Sequence, residues 1–169
     1  MISIVIPVYN EEKSLGKLYN ELTKALAKVG QNYELIAVDD GSSDESFRAL
    51  KKFHRQDPRV KVIRFRRNFG QTAALAAGFD HAQGEVIISI DADLENDPRD
   101  IPKLLAKLDE GYDIVSGWRK RRWGGSIFKK IIRRFPSEAA NLLTRKLSGA
   151  TLHDTGCTLK AYRRAALGG

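Results

Sequence analysis

Residues 86–98 read Val-Ile-Ile-Ser-Ile-Asp-Ala-Asp-Leu-Glu-Asn-Asp-Pro, and this stretch decides the fold. Its first five residues are mostly β-branched, which predicts a strand buried on both faces, as in a parallel sheet. Asp91, Asp93 and Glu95 follow at alternate positions, and alternate residues of an extended segment share one face. Converging carboxylates repel one another unless a cation lies between them. Their oxygens suit Mg²⁺ or Mn²⁺, which usually also binds substrate phosphates.

A simpler interpretation of this stretch is a turn followed by a helix. Aspartate is common in turns, and Asp97 before Pro98 has the pattern of a helix cap with proline at the first helical position. This interpretation accounts for Asp97 but not for Asp91. Because ligands of open α/β sheets bind beyond the carboxyl ends of the strands, the position of Asp91 favours metal binding.

The rest of the chain alternates between strand and helix patterns. Apolar runs predict further strands at residues 2–8, 33–38, 60–65 and 114–117. Helical spacing of apolar residues predicts helices between them, and the helix at 71–82 is rich in alanine and glycine, which allow close packing. This alternation predicts an α/β fold with a mainly parallel sheet flanked by helices. The 169 residues fit one domain.

Composition narrows the classes of partner. An apolar content of 42% argues against disorder, and the net charge of +8 indicates anionic partners: nucleic acid, phosphorylated substrates or an acidic membrane surface. No apolar run approaches the length that spans a bilayer. Neither a G-x-G-x-x-G dinucleotide motif nor a G-x-x-x-x-G-K-[ST] phosphate loop is present, which argues against both of those nucleotide-binding classes.

Residues 119–135 are strongly basic and amphipathic. Residues 119–122 read Arg-Lys-Arg-Arg, and a Gly-Gly pair at 124–125 predicts a flexible loop. Apolar residues then recur at helical spacing, with lysines and arginines between them, a pattern that suits an anionic membrane surface. The alternative is a helix whose apolar face packs on the core while its basic face is merely solvated. Both interpretations hold if only part of the apolar stripe faces the core.

Asp39 and Asp40 follow the second predicted strand. A pair of this kind is often only a turn and a helix cap, but here Ser43 or Asp44 can cap the next helix, which leaves Asp39 and Asp40 for another role. A carboxylate at the end of a strand can accept a hydrogen bond from an N–H group of uracil or guanine. Tyr9, at the end of the first strand, can stack on the base, and Glu11 lies nearby in sequence.

A third set of candidate residues lies in the sequence around Cys157, the single cysteine of the chain. A nucleophilic Cys157 needs a nearby histidine base, and His153 lies four residues before it outside any known local signature. Asp154 is the better candidate, as a general base or an orienting anion.

Three of these stretches together resemble the inverting family 2 glycosyltransferases, which have the GT-A fold. They are residues 7–11 (Pro-Val-Tyr-Asn-Glu), 38–44 (Val-Asp-Asp-Gly-Ser-Ser-Asp) and 91–95 (Asp-Ala-Asp-Leu-Glu). The resemblance covers essentially the whole chain. Residues 67–71, 117–120 and 153–164 are similar to the polyprenyl-phosphate glycosyltransferases, the group of dolichol-phosphate mannosyltransferase and undecaprenyl-phosphate aminoarabinose transferase.

The resemblance implies a role for each matching position. The nucleotide would be bound by Pro7, Tyr9, Glu11, Asp39, Asp40 and Asp91, with Asp40 favoured over Asp39 for the base. Mg²⁺ or Mn²⁺ and the diphosphate would be bound by Asp91, Asp93 and Glu95. Phosphate oxygens of the donor or acceptor would be bound by Arg119, Arg133 and Ser137. The transfer itself would involve Asp93, Arg119 and Asp154, the last as a base-like carboxylate. Many relatives have glutamine where this chain has Glu95.

The expected function is inverting transfer of a sugar from a UDP- or GDP-linked donor to a polyprenyl phosphate. The resemblance implies one catalytic domain over residues 1–169, with a basic acceptor loop and amphipathic helices at 119–148, at the cytoplasmic face of a membrane. Family members often continue into transmembrane helices, so we expect this domain to be C-terminally truncated. An inactive nucleotide-sugar-binding module of the same fold is the alternative. Nucleic acid is disfavoured as a partner, because only Trp118 and Trp123 accompany the basic residues for base stacking. The sequence does not specify the sugar or the oligomeric state.

Overall fold

The structure is a computed structural model, and it describes residues 1–117 and 157–167. Within them, strands and helices alternate along the chain. The strands are β1 (Ile2–Val8), β2 (Tyr33–Asp39), β3 (Val60–Arg64), β4 (Val86–Ser89), β5 (Ile114–Ser116) and β6 (Lys160–Arg163). The α-helices are α1 (Leu15–Val29), α2 (Ser46–Gln56), α3 (Gln71–His81) and α4 (Ile101–Asp109), with short 3-10 turns at Pro98–Asp100 and Arg164–Ala166. The predicted acceptor segment, 119–148, lies outside the described residues.

The six described strands form one sheet in the order β3-β2-β1-β4-β6-β5. Strands β3, β2, β1 and β4 are mutually parallel, whereas β6 runs antiparallel to both of its neighbours. The predicted α/β fold with a mainly parallel sheet is therefore confirmed. Strand β6 was not predicted, because its sequence, Lys-Ala-Tyr-Arg, is short and charged at both ends.

The two faces of the sheet are covered by different helices. The larger core packs α1, α2 and α4 on one face, and a smaller core packs α3 on the other. The small residues of α3 bring it close to β1, as predicted: a Cβ added at Gly78 would lie 2.2 Å from Val5 Cγ1. Glycine is therefore required at the centre of this contact.

The loop after β4 ends at a capped turn. Asp97 precedes Pro98, and its carboxylate accepts a hydrogen bond from the backbone N–H of Arg99 at 2.9 Å. The Arg99 guanidinium, hydrogen-bonded to the same carboxylate, lowers the pKa of Asp97. The capping role predicted for Asp97 is confirmed, and α4 begins directly after this turn.

Candidate active site

A cavity of about 300 Å³ lies at the carboxyl ends of β1, β2 and β4, where an open α/β sheet binds its ligands. Six residues that the sequence predicts as site residues line it. They are Pro7, Tyr9, Glu11, Asp40, Asp91 and Asp93. Of the other lining residues, Asn68, Gly70 and Gln71 come from the start of α3 and the segment before it, and they were given no role at the sequence level. The signal that could have identified them is the 67–71 motif itself.

The loop after β1 is held by hydrogen bonds to the loop after β2. Asn10 has left-handed backbone (φ 55°); its N–H donates to Ser42 Oγ at 3.0 Å, and its side-chain oxygen accepts from the N–H of Ser43 at 2.9 Å. The N–H of Glu11 donates to Ser46 Oγ at 2.7 Å. These bonds fix the loop that carries Tyr9, a residue that is 49% exposed and lines the cavity. An exposed aromatic ring in a fixed loop is suited to stacking on a base.

Asp40 is buried, and its carboxylate is hydrogen-bonded to backbone N–H groups. Its two carboxylate oxygens accept hydrogen bonds from the N–H groups of Phe69, at 2.7 Å, and Gly70, at 2.9 Å. Each oxygen has a second lone pair, so a further bond to a ligand is available. Asp40 therefore fixes the segment that precedes α3, and base recognition by Asp40 stays a prediction.

Asp39 is placed differently from its neighbour. Its side chain is fully buried, and its Oδ2 lies 3.5 Å from Nε of Arg64 on the adjacent strand. Asp39 does not line the cavity, whereas Asp40 does. Of the two predicted nucleotide-binding carboxylates, the structure favours Asp40 for contact with a ligand.

Gly41 allows the segment before α3 to lie against the loop after β2. It has φ +71°, and a Cβ at this position would lie 2.5 Å from the carbonyl carbon of Arg67 and 2.7 Å from the nitrogen of Asn68. Both the left-handed conformation and the close approach exclude a side chain here. This contact brings Asn68 to the cavity wall.

The acidic loop is not the extended segment that the sequence argument assumed. Strand β4 ends at Ser89, and the chain turns at residues 92–94, where Leu94 has left-handed backbone (φ 64°). Leu94 packs against the larger core, which helps to hold this unfavourable conformation. The alternation argument that placed Glu95 on one face with Asp91 and Asp93 is therefore wrong, and Glu95 does not line the cavity.

Asp91 and Asp93 carry the oxygen ligands that a hard divalent cation prefers, and both residues line the same cavity. Within residues 1–117 and 157–167, no group of three histidine, cysteine or acidic side chains is arranged to hold a metal. A cation at these two carboxylates would need further oxygen ligands. Gln71 donates a hydrogen bond from Nε2 to Asp91 Oδ1 at 2.6 Å, so one oxygen of Asp91 is oriented by α3.

Four predicted site residues, Arg119, Arg133, Ser137 and Asp154, lie outside the described residues. Their roles stay predictions. No helix in the described part of the chain is both long and apolar enough to cross a membrane.

Comparison with known proteins identifies the family. The model of glycosyl transferase family 2 matches residues 3–168. The chain belongs to glycosyltransferase family 2. This glycosyltransferase is 41% identical over 168 residues to a dodecaprenyl-phosphate galacturonate synthase of Rhizobium johnstonii, covering 98% of the chain and 48% of that protein. It is 44% identical over 164 residues to an undecaprenyl-phosphate 4-deoxy-4-formamido-L-arabinose transferase of Shewanella sediminis, covering 96% and 48%.

Solved structures agree on the fold of the glycosyltransferase. The glucosyl-3-phosphoglycerate synthase of Mycobacterium tuberculosis superposes with a TM-score of 0.74 at 22% identity, covering 99% of this chain and 57% of that one. The GT-A fold inferred from the sequence is confirmed. The chain spans about half the length of the curated relatives it matches.

Proposed function

We propose that the chain transfers a sugar from a UDP- or GDP-linked donor to a polyprenyl phosphate, with inversion at the anomeric carbon. The observation that carries this proposal is the cavity at the strand ends. Its lining includes Tyr9, Asp40, Asp91 and Asp93. The two curated relatives described above are both named for a polyprenyl-phosphate substrate, which supports the same acceptor class here.

The donor would lie along the strand ends. Its base would stack on Tyr9 and donate an N–H hydrogen bond to the carboxylate of Asp40, and its diphosphate would lie beside Asp91 and Asp93. Asp91 and Asp93 would hold Mg²⁺ or Mn²⁺, and the cation would stabilise the charge that develops on the leaving diphosphate. The related fold of the M. tuberculosis synthase was solved with Mn²⁺ and UDP, which supports a divalent cation in this role.

The acceptor needs positive charge more than a strong base. A lipid monophosphate is already an anion near neutral pH, so the nucleophile needs little deprotonation, whereas charge repulsion opposes its approach to the diphosphate of the donor. Arg119, Arg133 and Ser137 are proposed to bind the phosphate oxygens. Asp154 is proposed to act nearby as a base-like or orienting carboxylate.

The acceptor also places the enzyme at a membrane. We propose that residues 119–148 form a basic acceptor loop and amphipathic helices that lie on an anionic membrane surface, at its cytoplasmic face. Each lysine or arginine near such a surface contributes about 1 kcal/mol, so several suffice for reversible attachment. Co-sedimentation with anionic vesicles should fall as salt is raised. Failure to bind these vesicles at low salt would contradict the membrane proposal.

The transfer reaction tests the proposal directly. The protein is incubated with labelled nucleotide sugars, Mn²⁺ and a polyprenyl phosphate, and the labelled lipid is extracted and counted. Asp93→Ala should lose about a hundredfold or more in rate, the scale for removal of one preorganised electrostatic group. Asp80→Ala, at an exposed position near the far end of α3, is the matched control and should keep wild-type activity.

Two outcomes would contradict the proposal. Full transfer by Asp93→Ala would remove the metal and diphosphate role from the acidic loop. Tight binding of nucleotide sugars by the wild-type protein, without turnover on any polyprenyl phosphate, would instead support an inactive binding module of the same fold.

A further inference from the structure

A second cavity, of about 150 Å³, adjoins the first at Gln71, which lines both. It lies between α3 and the paired strands β4 and β6. Of the lining residues within 1–117 and 157–167, all but Leu75 and Cys157 are polar. The polar lining residues are Gln71, Thr72, Ser89, Thr158, Lys160 and Tyr162. Side-chain hydroxyl and ammonium groups such as these can form hydrogen bonds with a polyhydroxylated ligand.

The antiparallel pairing of β4 with β6 places the polar groups of this cavity on one face. Ser89 lies directly opposite Lys160, and Ile87 lies opposite Tyr162. Directly opposite residues project to the same face of a sheet. Ile87 packs in the core beneath α3, so Lys160 and Tyr162 also face α3. The hydroxyl of Ser89 donates a hydrogen bond to the backbone carbonyl of Thr158 at 2.6 Å, and this bond holds the residues that precede β6 against β4.

The order of the strands matches the order of the parts of a sugar nucleotide. Asp40 follows β2, Tyr9 follows β1, Asp91 follows β4, and the second cavity lies at β4 and β6. Neighbouring strands are about 4.8 Å apart, so β2 and β6 are separated by about 14 Å. A donor with its base at β2 and its diphosphate at β4 therefore directs its sugar toward β6.

We propose that the second cavity binds the sugar ring of the donor and that Lys160 selects among sugars by charge. This inference rests on the proposed function, because it takes the diphosphate to lie at Asp91. The ammonium group of Lys160 has three donors and no acceptor, so it binds a hydroxyl or, more strongly, a carboxylate. A sugar that presents an amino cation at this position cannot accept from Lys160 and is repelled by it.

Calorimetry with Mn²⁺ tests the inference on the binding step alone. UDP, UDP-glucose, UDP-glucuronate and UDP-glucosamine are titrated into the wild-type protein and into Lys160→Met. The wild-type protein should bind the glucuronate most tightly and the glucosamine most weakly. Lys160→Met should bind UDP within about twofold of wild type but lose roughly tenfold or more for UDP-glucuronate, the effect of one charge-assisted hydrogen bond.

Three further variants keep the result interpretable. Lys160→Arg retains the charge and should retain the order of preference. Lys52→Met, at an exposed position on α2, is the matched control and should bind every ligand as wild type does. Thr72→Val removes one hydroxyl from the cavity and should weaken the UDP-sugars but not UDP, so the inference remains testable if Lys160→Met fails to fold.

The outcomes separate this inference from the proposed function. An equal loss for UDP and the UDP-sugars in Lys160→Met, or an unchanged order of preference in that variant, overturns the sugar subsite while the donor site stands. If the wild-type protein binds neither UDP nor GDP, the proposed function fails and the subsite fails with it. If it binds GDP instead, GDP and GDP-mannose replace the UDP series, and Lys160→Met should lose the sugar's contribution alone.

Discussion

Replacing Asp40 by asparagine should disturb the fold and the donor site together. The carboxylate accepts from two backbone N–H groups, those of Phe69 and Gly70. An asparagine keeps one acceptor oxygen and turns its NH₂ group toward the other N–H, so one charge-assisted bond is lost and a donor is left unpaired. The free energy of unfolding should fall by about 2–4 kcal/mol, the sum of a lost charged hydrogen bond and part of the desolvation cost.

Urea unfolding and nucleotide titration together check this. With a urea dependence of about 2 kcal/mol per molar, the midpoint of Asp40→Asn should fall by roughly 1–2 M. Nucleotide affinity should fall about ten- to a hundredfold, because the segment that carries Gly70 loses its anchor. Asp80→Asn, at an exposed position on α3, is the matched control and should change neither quantity. An unchanged midpoint for Asp40→Asn would refute the anchoring role.

Three other predictions concern single positions. Gly41→Ala should lower the free energy of unfolding by about 2 kcal/mol or more, because φ +71° disfavours a side chain and the neighbouring backbone leaves no space for a Cβ; urea unfolding measures it. Arg59 lowers the pKa of Asp57 to about 2, so its stabilisation is present above the unfolded pKa of about 3.9 and is lost as pH falls through 2. Asp57→Asn should therefore cost about 1–2 kcal/mol at neutral pH, allowing for the half-exposed Arg59, and little at pH 2; equal destabilisation at both pH values would contradict this. Gln71→Met removes the donor that orients Asp91 and should weaken UDP binding about tenfold with Mn²⁺ but not without it; an equal loss in both conditions would contradict the positioning role.

The sequence was sufficient for most of the fold because the central strands, β1, β2 and β4, are buried on both faces. A strand such as β2, whose seven residues are all buried, shows a nearly unbroken apolar run. Strand β6 shows no such run, because it has only four residues and is charged at both ends, and its pairing with β4 joins residues more than 70 apart. Local patterns do not encode pairing over that separation, so the strand order also came only from the structure.

The site was predictable in its residue types and less so in its geometry. Asp40 and Asp91 were identified by their positions at strand ends, but their partners, Gly70 and Gln71, lie 30 and 20 residues away. The turn at Leu94 was missed because a left-handed leucine has no local sequence signal. The prediction that Asp91, Asp93 and Glu95 share one face of an extended segment was therefore wrong.

The central claim is that the strand-end cavity binds a nucleotide sugar with a divalent cation. A crystal structure grown with UDP-sugar and Mn²⁺, with anomalous data collected at the manganese edge, tests it most directly. The account predicts an anomalous peak beside Asp91 and Asp93, the base against Tyr9 and the sugar toward Lys160. A nucleotide bound away from the ends of β1, β2 and β4, or one bound there with no manganese at the acidic loop, would contradict it.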